Sequence, residues 1–227
     1  AGIVPQIQNQ GIHALGRQLV QGLLQDVSRR LVELDNANIA DVVFQDGRAL
    51  DALHLDDGAN DFDLLDFLGL DAQDFQSIYA VNVIGPYQMI RAAAAAMQSQ
   101  EQGGVVVNVA STAAITGVGS SVAYAASKGA LVTMTLSLAR ALGPKIRINA
   151  VCPGFIQGDW LREGLGEAQY EAAKAHNERN APLGVTACPD TVAEAILHFI
   201  TGPQIVTGET LIVDGGRHLN SVPLMRR

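Results

Sequence analysis

Tyr124 and Lys128 form the pair in this sequence best suited to moving a proton. Their four-residue spacing stacks them on one face of a helix. A free phenol titrates near a pKa of about 10, and an ammonium held beside it favours the ionised form, which brings the phenol toward acid/base work near neutral pH. Ser111 follows the β-branched run Gly104–Val109, and if its loop folds back over the helix start, its hydroxyl can hold a carbonyl or alcohol oxygen beside that phenol. Taken without their surroundings, Tyr124 and Lys128 read equally well as a surface helical pair and Ser111 as a turn residue.

For these groups to meet, a strand must end just before Ser111 and a helix must begin near Tyr124. Gly104–Val109 (GVVVNV), Ile146–Val151 (IRINAV) and Thr210–Val213 (TLIV) are β-branched runs of the kind buried on both faces of a parallel sheet, and Leu50–Leu55 (LDALHL) is a weaker fourth. Helix candidates lie between them at Arg29–Phe44, Asp71–Met97, Ala123–Leu142 and Asp190–Ile200. The third of these carries Leu131, Met134, Leu138 and Leu142 as one apolar stripe. Strands alternating with helices predict an α/β fold, a doubly wound parallel sheet in a single domain, with ligands at the carboxyl ends of the strands.

Composition narrows the task. The chain has 227 residues and a formal charge of -8, and it contains only three lysines, which argues against nucleic acid as a partner. The longest obviously helical apolar tract, Ala92–Met97, is far short of the roughly 20 residues a bilayer span needs, so no membrane association is expected. No secretory signal is visible at the start, and Cys152 and Cys188 read as reduced thiols, which together predict a cytoplasmic protein. No Cys or His spacing suggests a metal.

The order of NVAST, YAASK, IRINAVCPGFI and TGETLIVDGG resembles the short-chain dehydrogenase/reductase family from about Asp26 to His218. The resemblance implies a Rossmann-type fold and a nicotinamide-dependent oxidoreductase, using NAD or NADP, that interconverts a secondary alcohol and a ketone. It assigns Tyr124 as general acid/base and Lys128 as the residue that binds the nicotinamide ribose and lowers the Tyr124 pKa. It makes Ser111 the substrate-orienting hydroxyl and Asn82, in YAVNVIGPY, the residue that holds a relay water by bending its helix. Pro153 and Gly154 would cover the nicotinamide, with Ile156 bonding its carboxamide through backbone; a glycine there would let the backbone approach the ligand.

The cofactor half matches less closely. Of the glycines in the family's first turn only Gly16 is present, and Asp26-Val27 resembles the turn near the adenine. The family's Asn-Asn-Ala-Gly stands here as Leu55-Asp56-Asp57-Gly58, which places the carboxylate of Asp56 in the cofactor region, and Gly158 replaces a threonine expected after the Pro-Gly turn. Asp56 and Gly58 remain the matching cofactor positions. Twenty-five residues precede Asp26, whereas two strand-helix units would take on the order of 50 to 60. The nucleotide-binding part, about residues 1–58, is therefore expected to be shortened, either because stretches of a longer enzyme are absent from this sequence or because the protein is a shortened member that keeps the catalytic residues. The alternative function is a catalytically silent scaffold or binding protein that lacks a competent nucleotide site.

Phe155 to Pro182 is a long helix-rich segment, read either as an amphipathic surface cover or, through the resemblance, as a lid that closes over substrate. His176 and His198 read as packed or solvated side chains. Small residues at Ala92–Ala96, Ala125, Ala126, Gly129 and Ala130 suit close helix contact, and the resemblance implies a homodimer or homotetramer built on those helices.

Overall fold

Among the described residues four parallel strands form one sheet, and the valines of its second strand alternate between two helical layers. The computed structural model describes residues 41–44 and 69–219. The strands are β1 (Asp41–Phe44), β2 (Gly104–Val109), β3 (Ile146–Pro153) and β4 (Thr210–Val213), in the order β1-β2-β3-β4. Val105, Val107 and Val109 of β2 face α7 (Pro189–Thr201), against Val192, Ile196 and Ile200. Val106 faces the opposite way, into a cluster with Ile90, Met97, Ala139 and Ile148.

That second layer contains α1 (Ala72–Tyr79), a π-helical turn (Ala80–Ile84), α2 (Gly85–Ser99) and α4 (Val122–Leu142), with the short α3 (Ala113–Thr116) ahead of α4. Asp71 caps α1 by accepting from the amides of Gln73 and Asp74. The expected helix Asp71–Met97 is thus one helical course interrupted by the π turn. α5 (Asp159–Leu165) and α6 (Glu167–Asn180) lie between β3 and α7, and a 3₁₀ turn (Arg217–Leu219) follows β4.

Two expectations change. Asp41–Phe44, read as the end of a helix, is strand β1, paired in parallel with Val105–Asn108. Such a short apolar run satisfies helix and strand periodicity alike, and pairing with β2 decides it. The weaker strand Leu50–Leu55 lies outside the described residues, as do positions 29–40.

The second change concerns apolar length. α4, at 21 residues, is long and apolar enough to cross a membrane by length and composition, which the short tract at Ala92–Met97 is not. It packs on the sheet and buries Ser127, Lys128 and Thr135 beside Leu131 and Ala139. One face of the helix thus lies in the core, while Val122 and Leu136 on other faces stay exposed.

Candidate active site

α4 begins where Ser121 leaves extended backbone and accepts the amide of Tyr124 at 3.1 Å. Tyr124 therefore sits in the first helical turn, where the partial positive charge of the helix N-terminus favours an anion. One turn further on, Lys128 is only 4% exposed. Its ammonium donates to the carbonyl of Val109, the last residue of β2, at 3.1 Å, and lies 5.7 Å from the centre of the Tyr124 ring. A buried ammonium held this way stabilises negative charge on its neighbours.

The Tyr124 ring owes its place to a glycine that sequence reasoning overlooked. A Cβ built at Gly119 would lie 2.9 Å from Cδ1 of Tyr124 and 3.0 Å from Cβ of Ala113. Any side chain at 119 would push the ring away from α3. Only three-dimensional packing reveals this requirement.

Ser111 stands at the carboxyl edge of the sheet, between bonds that tie Ala110 to Val151 and Thr112 to Pro153. Its Oγ accepts from the amide of Ala113 at 3.1 Å, so the hydroxyl is oriented by its own turn. The helix start, Ser111 and the end of β3 thus converge at the carboxyl ends of the strands.

Asn82 lies within the π turn and is 1% exposed. Pro86, four residues later, has no amide to donate to the Asn82 carbonyl, and the backbone ladder slips so that Gly85 donates to Ala80. The Asn82 side chain then reaches α4: Nδ2 donates to Ser127 Oγ at 2.9 Å, and Ser127 Oγ donates to the Tyr124 carbonyl at 2.7 Å. Asn82 Oδ1 is buried and finds no donor among the described residues. A buried amide oxygen left this way invites a water or ligand donor. Ser127, inside YAASK, is the connecting residue the sequence reading passed over; its position three after Tyr124 was the available signal.

Pro153 ends β3, and the Gly154 amide donates to Val213 at 3.0 Å. Packing gives a reason for glycine at 154 besides the approach of a ligand. A Cβ there would meet Asp214 Cβ at 2.7 Å, so close packing between the ends of β3 and β4 imposes the residue. Ile156 forms an isolated parallel bridge with Ala187, made by Ala187 N to Phe155 O and by Gln157 N to Ala187 O. This pattern directs Ile156's own N–H and C=O away from Ala187.

The structure thus gathers Asn82, Tyr124 and Lys128 around the start of α4, with Ser111, Pro153, Gly154 and Ile156 at the adjoining strand ends. Gly16, Asp26, Val27, Asp56 and Gly58 lie outside the described residues. A nicotinamide group fits the side that is described: a buried cation, a phenol, an outward-facing backbone amide at Ile156 and an unmatched carboxamide oxygen are polar partners of the kind its ribose and carboxamide need.

Outside this cluster, Cys152 and Cys188 are free thiols. Burial pushes the Cys152 thiol up to about 11, against weaker downward pulls from the Ser111 amide and Lys128. His176 contacts Asn180 within α6, and burial, then Arg217 and Arg179, lower its pKa. His198 lies on α7 with its ring tilted against Phe199.

Known proteins give this geometry a lineage. Residues 16–218 match the family model described as enoyl-(acyl carrier protein) reductase. The chain is 36% identical over 148 residues to a human 3-oxoacyl-[acyl-carrier-protein] reductase, an alignment covering 65% of this chain and 58% of that protein. It is 34% identical over 149 residues to 2-(S)-hydroxypropyl-CoM dehydrogenase 3 of Xanthobacter autotrophicus, covering 64% and 58% respectively. A short-chain dehydrogenase/reductase structure from Burkholderia xenovorans superposes with a TM-score of 0.60 at 37% identity, over 68% of this chain and 59% of that one. The chain therefore spans less than two thirds of the length of these relatives. With the family match over most of its residues and the parallel sheet that carries Ser111, Tyr124 and Lys128, the chain belongs to the short-chain dehydrogenase/reductase family.

Proposed function

We propose that this protein is an NAD(P)(H)-dependent oxidoreductase that interconverts a small secondary alcohol and its ketone. The observation that carries this reading is the buried Lys128 ammonium, held by Val109 at 3.1 Å and 5.7 Å from the Tyr124 ring centre at the carboxyl edge of the sheet. In the reducing direction Tyr124 gives its phenolic proton to the carbonyl oxygen; in the oxidising direction the phenolate takes the alcohol proton. Lys128 and the N-terminus of α4 both favour the phenolate, so the proton leaves more readily near neutral pH. Ser111 donates a hydrogen bond to the substrate oxygen, holding it beside the phenol and stabilising charge that builds there. Asn82, through Ser127, fixes the α4 backbone under Tyr124.

A bound dinucleotide would supply hydride-transfer chemistry at its nicotinamide ring. Lys128 would hold the ribose, and Pro153, Gly154 and the Ile156 backbone the carboxamide side. Gly16, Asp26, Val27, Asp56 and Gly58 remain the proposed positions for the rest of the nucleotide. The carboxylate of Asp56 favours a second reading, a catalytically silent scaffold, because it adds negative charge where phosphates must approach.

Thermal unfolding with millimolar NAD(H) or NADP(H) separates the two. A ligand that binds only the folded state raises the midpoint, by the equivalent of about 2.7 kcal/mol at a hundredfold excess over Kd. A rise with one dinucleotide supports the oxidoreductase and names its cofactor; no rise with either supports the scaffold. We further propose a cytoplasmic homodimer or homotetramer that pairs through α2 and α4, since Leu136 of α4 and Met89 of α2 are large apolar side chains left half exposed.

A further inference from the structure

The turn after β4 bonds to more of the protein than its sequence, Asp214-Gly215-Gly216, suggests. The Asp214 carboxylate is 2% exposed. It accepts the amides of Gly216 and His218, each at 2.8 Å, and both of its oxygens lie 2.9 Å from His218 Nδ1. Opposite an acceptor-only carboxylate, Nδ1 is the nitrogen that carries the hydrogen. This bonding holds Gly215 and Gly216 in left-handed conformations, at φ +65° and +84°.

Those two glycines meet the far end of the α5–α6 segment. A Cβ at Gly215 would lie 2.6 Å from the Val185 carbonyl and 3.3 Å from Ala181, and one at Gly216 would lie 3.1 Å from Pro182. The Leu183 amide donates to Gly215 O at 3.1 Å. The two ends of the segment are themselves joined. Ala187 bonds Phe155 and Gln157 through backbone, and the Gln157 side chain donates to Thr186 Oγ1 at 2.9 Å. α5 and α6 therefore leave the sheet from a closed neck, and the Asp214 turn sits against it. On its other side, Asp214 Cβ packs on Gly154 of the turn proposed to cover the nicotinamide.

We propose that Asp214, completed by His218, is a positioning residue that sets the neck of the α5–α6 segment above the Pro153–Gly154 turn and so sets the substrate side of the site. The proposal rests on the oxidoreductase reading only for its kinetic consequence. Asn at 214 keeps the Cβ that packs on Gly154 but places an amide donor where one carboxylate oxygen accepts. The loss then falls on the neck and spares the dinucleotide turn.

Hydrogen exchange followed by mass spectrometry on the whole chain tests the structural part without any substrate. In Asp214→Asn, the amides of Gln157, Leu183 and Ala187 are expected to exchange at least about tenfold faster than in the unsubstituted protein, with β2 and α4 amides unchanged. His218→Asn, which keeps a donor near the Nδ1 position, should stay close to the unsubstituted protein, and His218→Ala should loosen the same amides. Unchanged exchange at the neck, or acceleration spread evenly through β2 and α4, would overturn the proposal. Kinetics with ethyl acetoacetate as a ketone probe supply the second arm: Asp214→Asn should raise KM about tenfold, with kcat and dinucleotide binding nearly unchanged. A fall in kcat at unchanged KM would overturn the positioning role. If the unsubstituted protein turns over no ketone, the oxidoreductase reading fails while the exchange arm still decides the fate of Asp214.

Discussion

Asn82 and Ser127, 45 positions apart in sequence, share a 2.9 Å hydrogen bond in the buried layer between the π turn and α4. Ser127 passes the contact on to the carbonyl of Tyr124. The backbone of the proposed proton donor is thus fixed from below by a helix that a proline has forced out of α geometry. Removing Asn82 leaves the Ser127 hydroxyl without its donor. Asn82→Ala is expected to cost about 1 kcal/mol of stability, read as the shift in urea midpoint at constant slope. Turnover should fall further than that stability loss explains, because the unmatched Oδ1 and the fixed helix start disappear together.

Gly119→Ala tests the packing of the Tyr124 ring. Its new Cβ would sit 2.9 Å from the ring and 3.0 Å from Ala113, so one of them must move. Overpacking of this kind costs about 1 to 3 kcal/mol. The loss of activity should exceed that of a control such as Gly164→Ala, whose Cβ meets nothing within 4 Å.

The thiols should separate by reactivity. Burial pushes Cys152 up to about 11, and its side chain is inaccessible within β3, whereas Cys188 is partly exposed at the start of α7. Iodoacetamide at pH 8 is expected to label Cys188 and spare Cys152 in the native protein, with both labelled in denaturant, as read by peptide mass. The raised Cys152 pKa also has a stability sign. Between 9.0 and about 11 the unfolded thiol ionises while the folded one stays protonated, so stability present below pH 9 declines as pH rises through that window.

Assembly through α4 predicts a charge-sensitive interface. Leu136 is 49% exposed on the outward face of that helix. Leu136→Glu should convert the proposed dimer or tetramer to monomer at micromolar concentration in light scattering. A monomeric unsubstituted protein would remove the proposal.

Much of this architecture is readable from residue types. β2 and β3 are buried along their whole length, and β2 shows it as a nearly unbroken valine run, whereas β3 mixes Ile146, Ile148 and Val151 with the buried polar Arg147 and Asn149; Thr210–Val213 keeps enough of the β-branched signature to be found. The four-residue spacing of Tyr124 and Lys128 is enough to place both on one helix face. β1 was missed because Asp41–Phe44 is too short to carry its own period. The π turn had a local signal, Pro86 four residues after Asn82, that ordinary helix patterning does not weigh. Gly154 and Asp214 answer to each other across the distance between β3 and β4, and Gly119 to a close turn that brings Ala113 and Tyr124 together; periodicity encodes neither.

The most direct measurement is NADH and NADPH oxidation with a ketone panel, comparing the unsubstituted protein with Tyr124→Phe and recording dinucleotide-induced thermal shifts for both. The account predicts turnover in the former and a fall of about a thousandfold in the latter, with the thermal shift retained, because only the phenolic proton has been lost. Turnover that survives in Tyr124→Phe would contradict it.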